Sequence, residues 1–285
     1  MAKSIRSYFP RTTISFTKQP SNAALLAKQA QESGAELIVA GGGDGTVNEV
    51  VNGLYLPDPN LAIGILPLGT ANVLAINLNI PLNPVKALQA LSSRAKVIPI
   101  DLGQVDKVKF INTVSIGLDA EINERALALK PKMRKLPVAC YLPAILKTMF
   151  SSHSWPIISV YLGKTLFYAG KASIVAVSNC PTYGLNFPIN PKAKLDDGKL
   201  NLCLLKRIKE IALPCYLLRL ALKRYPSARQ GFLLDDFSTA RISATKPVPL
   251  QIDGEPAGQT QEINISVLPK IANFLYIPHT LTKPL

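Results

Sequence analysis

Gly41, Gly42, Gly43 and Gly45 surround Asp44, with the apolar run ELIVA (36–40) before them and TVNEVVNGL (46–54) after them. Between a strand and a helix start, residues without side chains let backbone N–H groups and the positive helix end come close to an anion, so the chemistry on offer is phosphate binding. A tight strand-to-helix turn with Asp44 as its polar cap would use the same residues. No lysine follows the glycines, which excludes a P-loop. Gly163-Lys164-Thr165 copies only the tail of one, without the upstream glycine and between strands. A second loop of similar build, Pro67-Leu68-Gly69-Thr70-Ala71-Asn72, follows LAIGIL (61–66) and offers Thr70 and Asn72 either as ligand contacts or as helix cap and turn residue. Two such loops after adjacent parallel strands fall at the carboxyl edge of the sheet, where open α/β folds bind ligands. His153 and His279 sit in contexts unsuited to acid–base work.

These loops need elements to hold them. Residues 22–33 (NAALLAKQAQES) carry apolar positions at helical spacing, Gly34 can cap that helix, and ELIVA reads as a buried parallel strand. Val47, Val50, Val51 and Leu54 fall at i, i+3, i+4 and i+7, while Thr46 and Glu49 have capping-box spacing. LAIGIL is the next strand, and helices are expected over 70–78 and 84–93. This rhythm predicts an α/β domain with a doubly wound parallel sheet over residues 1–96. From residue 97 to 285 the segments VIPIDLGQV, KFINTVSIGL, ISVYLG, TLFYAGKASIVAVSN, KLNLCLL and ARISA read as antiparallel strands of a second, β-rich domain, with the last residues returning to the first. Two apolar helical stretches, 138–150 and 210–225, interrupt it.

A chain of 285 residues, 48% apolar, can bury the cores of two domains. Its 32 Lys and Arg against 18 Asp and Glu give a formal charge of +14, which favours anionic partners. Few aromatics are interleaved with the basic clusters, so nucleic acid is not expected. The first thirty residues, broken by Arg6, Pro10, Arg11 and Lys18, contain neither a signal-peptide run nor a membrane span. Cys140, Cys180, Cys203 and Cys215 are far apart and read as reduced, buried and cytoplasmic. Lys130, Lys132, Arg134 and Lys135 precede one apolar stretch, and Arg219, Lys223 and Arg224 belong to the other. Either these helices make peripheral contact with an anionic membrane surface, or they are core helices with solvated basic ends.

With both loops in hand, the sequence resembles the diacylglycerol-kinase catalytic family, which includes bacterial diacylglycerol, phosphatidylglycerol and sphingoid-base kinases. The resemblance rests on GGGDGTVNEVVNGL (41–54), PLGTANVLA (67–75), FINTVSIGLDAEI (110–122), NPKAKLDDGKLNL (190–202) and QIDGEP (251–256), and it covers nearly the whole chain in family order. It implies an ATP-dependent lipid kinase with a nucleotide-binding first domain, a β-sandwich second domain and a membrane lipid as acceptor. The sequence leaves the oligomeric state, monomer or homodimer, open. Carried over by motif, ATP would contact Thr17, Gly42, Gly43, Asp44, Gly45, Thr46, Val47, Asn48 and Thr70. Asp44 would orient Mg2+ and the phosphates, its charge serving ligands rather than packing. Glu255 corresponds to the family's general base. Asp253 is not part of that correspondence and, two residues earlier in a segment read as extended, is expected to matter less to turnover. Lys194, Asp197 and Lys199 correspond to a structural Mg2+ site, the lysines through main-chain carbonyls. Read without the family, DGEP is a type I or II turn and KLDDGK a hairpin turn. The family's usual first strand, ending in an NP-x-SG-like turn, has no counterpart in this chain. An NAD kinase shares the GGDGT loop but not PLGTAN or DGEP, and a pseudokinase would bind nucleotide or lipid without turnover.

Overall fold

The computed structural model describes residues 2–133, 137–151, 155–183 and 187–278. The chain runs through α1 (Ala2–Tyr8), α2 (Asn22–Glu32), β1 (Leu37–Gly42), α3 (Asp44–Gly53), β2 (Ala62–Pro67), α4 (Val73–Asn77) and α5 (Pro84–Ser93). It continues through β3 (Lys96–Val105), β4 (Val108–Phe110), β5 (Thr113–Gly117), α6 (Leu118–Leu129), α7 (Tyr141–Met149), β6 (Ile157–Leu162), β7 (Thr165–Ser178), β8 (Thr182–Tyr183) and β9 (Phe187–Pro188). The last elements are β10 (Leu200–Lys206), α8 (Leu213–Ala221), β11 (Phe232–Phe237), β12 (Thr239–Ile252) and β13 (Glu255–Tyr276). One compact unit takes the residues up to Ile100 and those from Lys270 onward, and a second takes Asp101–Pro269.

In the first unit β1 and β2 pair in parallel from Leu37↔Ala62 to Gly42↔Pro67, and the end of β13 joins the far side of β2 through Asn273↔Ala62 and Phe274↔Ile63. The apolar run LAIGIL is therefore a central strand, with Ile63, Ile65 and Leu66 buried. The run ELIVA is not the buried strand its composition predicts. Among the described residues β1 pairs only with β2, so Ala40 is buried while Leu37, Ile38 and Val39 keep exposed surface. The face of α3 follows its periodicity, burying Val47, Val50 and Val51. Its capping does not. The helix opens at Asp44 after Gly43, which places Thr46 inside the first turn, and Glu49 Oε2 accepts Ala23 N at the head of α2 instead (3.1 Å). Asn83 caps α5 by accepting from Val85 and Lys86, with Pro84 at the first helical position.

The second unit is an antiparallel sheet in the order β13-β12-β5-β7-β10-β11. Strands β5 and β6 share the space between β12 and β7: β12 pairs with β5 through residues 250–252 and with β6 through 240–244. Its core is built from Phe110, Val114, Ile116, Val175, Leu202, Ile242 and Ile263. A second cluster packs α6, α7 and α8 together through Leu118, Ile122, Ala144 and Leu213. Sequence patterning missed α6, because charges at Asp119, Glu121, Glu124 and Arg125 dilute its apolar face. The strand ends at Gly117, whose φ of +95° suits glycine, and the helix starts at once. Three cysteines are buried as expected, whereas Cys215 is exposed on the outer side of α8. His153, His279, Arg134 and Lys135 lie outside the described residues, as does the side chain of Lys132. No described helix is long and apolar enough to cross a membrane.

The hairpin of β3 and β4 pairs Gly103 with Phe110, and the fully buried Phe110 ring fills the space where a Cβ on Gly103 would stand, 2.0 Å from its Cζ. Gly103→Ala should therefore destabilise by about 1–3 kcal/mol through overpacking, and Phe110→Ala by about 3–5 kcal/mol through the cavity it leaves. Urea denaturation of the two variants checks both; an unchanged midpoint for Gly103→Ala would contradict the packing described.

Candidate active site

The two glycine-bearing loops of the first unit leave the sheet together. The ladder of β1 and β2 runs on past Gly42↔Pro67, where Leu68 N donates to Gly42 O (3.0 Å). Beyond it the loops touch backbone to backbone: a Cβ on Gly69 would lie 2.3 Å from Gly43 Cα. Asn72, in the left-handed region at φ +49°, closes its own loop by accepting Gly69 N (3.0 Å) and donating to Gly69 O (2.9 Å). It is thus a turn residue. Asp44 bridges the loops, its Oδ2 accepting Val73 N (3.0 Å) and its Oδ1 accepting Leu74 N (3.1 Å). The expectation that its charge is free of packing duties does not hold, since both oxygens cap α4.

Of the other residues expected to touch nucleotide, Gly42, Gly43, Gly45 and Thr46 line the turn from β1 into α3, and Asn48 follows in its second turn. Helix α3 has no side-chain cap, so the turn lies at its positive end. Val47 points into the core, and its amide donates to Gly43 O (3.2 Å). Thr70 is exposed at the tip of the second loop. Thr17 is exposed in the extended run ahead of α2.

In the second unit β12 and β13 are joined by two residues, Asp253 at φ +49° and Gly254 at φ +85°, with Ile252 paired to Glu255. Two successive left-handed residues make a type I′ hairpin turn, for which Asp-Gly is a favoured pair. The type I or II turn suggested by the residues is ruled out, because both need a negative φ at the first position. Glu255 is exposed at the start of β13. Asp253, given the lesser role above, is the more firmly held. Its Oδ2 accepts Ile111 N (2.7 Å), its Oδ1 accepts Asn112 N (2.7 Å) and Thr113 N (2.8 Å), and its own amide donates to Thr113 O (2.7 Å).

Behind this turn lies a polar network that sequence reasoning missed. Gly254 N donates to Gln251 Oε1 (2.7 Å), Asn123 Nδ2 donates to Gly254 O (2.6 Å), and Tyr141 OH donates to Asn123 Oδ1 (3.4 Å). Gln251 Nε2 donates to Ser115 Oγ (2.8 Å), and Ser115 donates to Asp119 in a very short bond. Burial pushes the Asp119 carboxyl above its ordinary range against the hydrogen bonds from Ser115, Tyr183 and Gln251 that favour its charge. Burial, with the Asp119 charge beside it, also pushes the Tyr183 phenol well up, so Tyr183 remains a neutral donor. Tyr141 is raised chiefly by burial, with Asp119 and Glu255 among the smaller causes. The one sequence signal for this network was the motif FINTVSIGLDAEI, which puts Ser115 and Asp119 four residues apart.

The loop KLDDGK is an open bend that leads into β10 rather than a hairpin turn. Asp197 Oδ1 accepts Lys199 N (3.1 Å), and Lys199 Nζ pairs with Asp236 (2.7 Å). The buried Asp101 fastens the loop by accepting Gly198 N at Oδ2 and donating its amide to Leu195 O, both at 2.6 Å. Asn179 Nδ2 donates to Asp101 O (2.7 Å) and Ile111 O (3.1 Å), leaving Asn179 Oδ1 buried without a partner. Among the described residues no three His, Cys, Asp or Glu side chains gather to hold a metal. A cation here would rest on carbonyl oxygens, the Asp197 carboxylate and water, a donor set that fits a hard ion such as Mg2+.

The family model of the diacylglycerol kinase catalytic domain matches residues 1–105, and that of the YegS C-terminal NAD kinase beta sandwich-like domain matches residues 112–276. Among curated proteins, the Yersinia enterocolitica protein named "Probable lipid kinase YegS-like" is 32% identical over 94% of this chain and 88% of its own. A diacylglycerol kinase of Bacillus subtilis is 28% identical over 87% of this chain and 80% of its own. A solved structure of a diacylglycerol kinase from Bacillus anthracis superposes with a TM-score of 0.76 at 24% identity, over 98% of this chain and 90% of that one, and so shares the fold. The chain belongs to the family of YegS-like lipid kinases and diacylglycerol kinases, with a diacylglycerol kinase catalytic domain followed by a YegS-type β-sandwich domain.

Proposed function

We propose that this protein transfers the γ-phosphate of ATP to a hydroxyl of a membrane lipid. The observation that carries the reading is the pair of loops locked Gly43 to Gly69 at the ends of two parallel strands, with the uncapped start of α3 between them. Backbone that close, at a helix N-terminus, suits the β- and γ-phosphates and leaves no room for larger side chains. Thr70 and Thr46 add hydroxyl donors, and Asp44 holds the two loops in register. Glu255 is the acceptor-side carboxylate that takes the proton from the lipid hydroxyl as its oxygen attacks phosphorus. Asp44 at the first site, and the Lys194 and Lys199 carbonyls with Asp197 in the KLDDGK loop at the second, would hold Mg2+, which would supply charge neutralisation at the first site and rigidity at the second.

The partner is an anionic bilayer surface, because α7 and α8 are not ordinary core helices. One face of each enters the shared cluster, while α7 exposes Leu142 and Leu146, with Phe150 just beyond it, and α8 exposes Cys215 and Leu218, with Ile211 and Leu222 beside it. Lys147, Arg219, Lys223 and Arg224 stand on or next to these stripes. Exposed leucine and phenylalanine rimmed by cations match a negatively charged interface.

Incubation with labelled ATP, magnesium and a panel of lipids in mixed micelles, with NAD as a control acceptor, tests the reading; nucleotide binding without any labelled product would indicate a pseudokinase. Glu255→Gln should lower kcat roughly 10²–10⁴-fold with little change in KM for ATP. Asp253→Asn should act through structure, lowering the melting temperature because an amide group would meet at least one of the three converging N–H donors, at about 1–3 kcal/mol for an unsatisfied buried donor. If Asp253→Asn melts like wild type yet abolishes turnover, Asp253 is the base instead. Asp44→Asn should lose both turnover and stability, since one capped amide of α4 loses its acceptor. Asp197→Ala should lower the melting temperature as a chelator does, and the two together should lower it no further.

Co-sedimentation with vesicles should rise with anionic lipid content and fall with salt. Each of Arg219, Lys223 and Arg224 should contribute about 1 kcal/mol, and Leu218→Asp should weaken binding further. Binding indifferent to both variables would remove the bilayer as partner.

A further inference from the structure

The residue before Glu255 is held in a way its turn does not require. A two-residue Asp-Gly hairpin closes through its own strands, yet both polar groups of Gly254 are gripped by side chains: the N–H by Gln251 Oε1 and the C=O by Asn123 Nδ2. Gln251 is 0% exposed and Asn123 3% exposed, so each amide has given up water for these bonds. A glutamine amide has an oxygen on one side and an NH2 on the other, and only one orientation serves the Gly254 N–H.

That orientation is fixed from the far end of the network. The hydroxyl of Ser115 donates to Asp119 Oδ2, so its one proton is spent there. Ser115 Oγ then presents lone pairs alone, and it accepts Gln251 Nε2 at 2.8 Å. With its NH2 claimed on this side, Gln251 must turn Oε1 towards Gly254.

We infer that Asp119 is a positioning residue for this reaction: the chain Asp119–Ser115–Gln251 sets the direction of the hydrogen bonds that hold the Gly254 peptide, and through it the carboxylate of Glu255. The catalytic half of this inference rests on Glu255 being the base; the hydrogen-bond chain does not. In Asp119→Asn the new NH2 can donate to Ser115, whose proton then turns to Gln251. The glutamine amide flips and sets a donor against the Gly254 N–H. Misplacement of a reacting group by such a shift lowers turnover without removing the group.

Two readouts on the full chain separate the halves. Amide exchange followed by NMR should be roughly tenfold faster at Gly254 in Asp119→Asn, about one hydrogen bond's worth, with the amides of β10 unchanged. Unchanged exchange at Gly254 overturns the chain of bonds. Turnover should fall on the order of ten- to a hundredfold with KM for ATP unchanged, and the double variant Asp119→Asn/Glu255→Gln should be no slower than Glu255→Gln alone. Losses that multiply would show that Asp119 does not act through Glu255. If Glu255→Gln itself keeps its turnover, the base assignment fails and the catalytic half with it, while the exchange result still decides the chain. Should Asp119→Asn fail to fold, Ser115→Ala breaks the same relay and is read by the same measurements.

Discussion

The carboxylate of Asp253 accepts the amide protons of Ile111, Asn112 and Thr113, segments 140–142 residues away in sequence, and the geometry of the hairpin behind it follows from that bond set. Charge-assisted bonds of this kind are roughly twice as strong as neutral ones, and an aspartate has too few rotatable bonds to let its partners drift. Asp44 does the same for two amides in the first unit and Asp101 for one in the KLDDGK loop. Each of these acids serves backbone first. Turns need such anchors, because a loop's own hydrogen bonds are seldom enough to fix its position.

With 32 Lys and Arg and 18 Asp and Glu, acids are already outnumbered, and several of them spend their charge on N–H groups rather than on cations. Among the described residues, the ion pairs Lys28–Glu32, Arg125–Glu121 and Lys199–Asp236 join charges on or near the surface. Such pairs add little stability. The field of the chain is positive, as its formal charge of +14 requires, and at physiological salt it reaches about 8 Å.

How far the sequence could be read depended on whether local signals and tertiary demands agreed. LAIGIL, β7 and β10 were legible as apolar runs, and α3 through the helical spacing of its valines. ELIVA was misjudged because apolar content does not say how many neighbours a strand has. Helix α6 was hidden since Asp119, Glu121, Asn123 and Arg125 turn to polar partners, two of them in the network behind Gly254. The motifs located Asp44, Glu255 and Asp197, yet spacing could not reveal that Asp44 caps a helix 29 residues on. Asp253 was undervalued for the same reason, its partners being distant in sequence. Residues that act by gripping backbone leave no pattern of their own.

Cys215 gives the molecule a chemical handle. It lies on the outward stripe of α8 with Leu218 and Leu222, whereas Cys140, Cys180 and Cys203 are buried, the last with its thiol pushed further from ionisation by burial. Thiol reactivity follows access and thiolate formation, so a maleimide dye should attach at this position ahead of the other three without any engineered cysteine. A polarity-sensitive fluorophore placed there would change colour as the stripe left water for hydrocarbon, turning the native chain into its own probe of where that face resides.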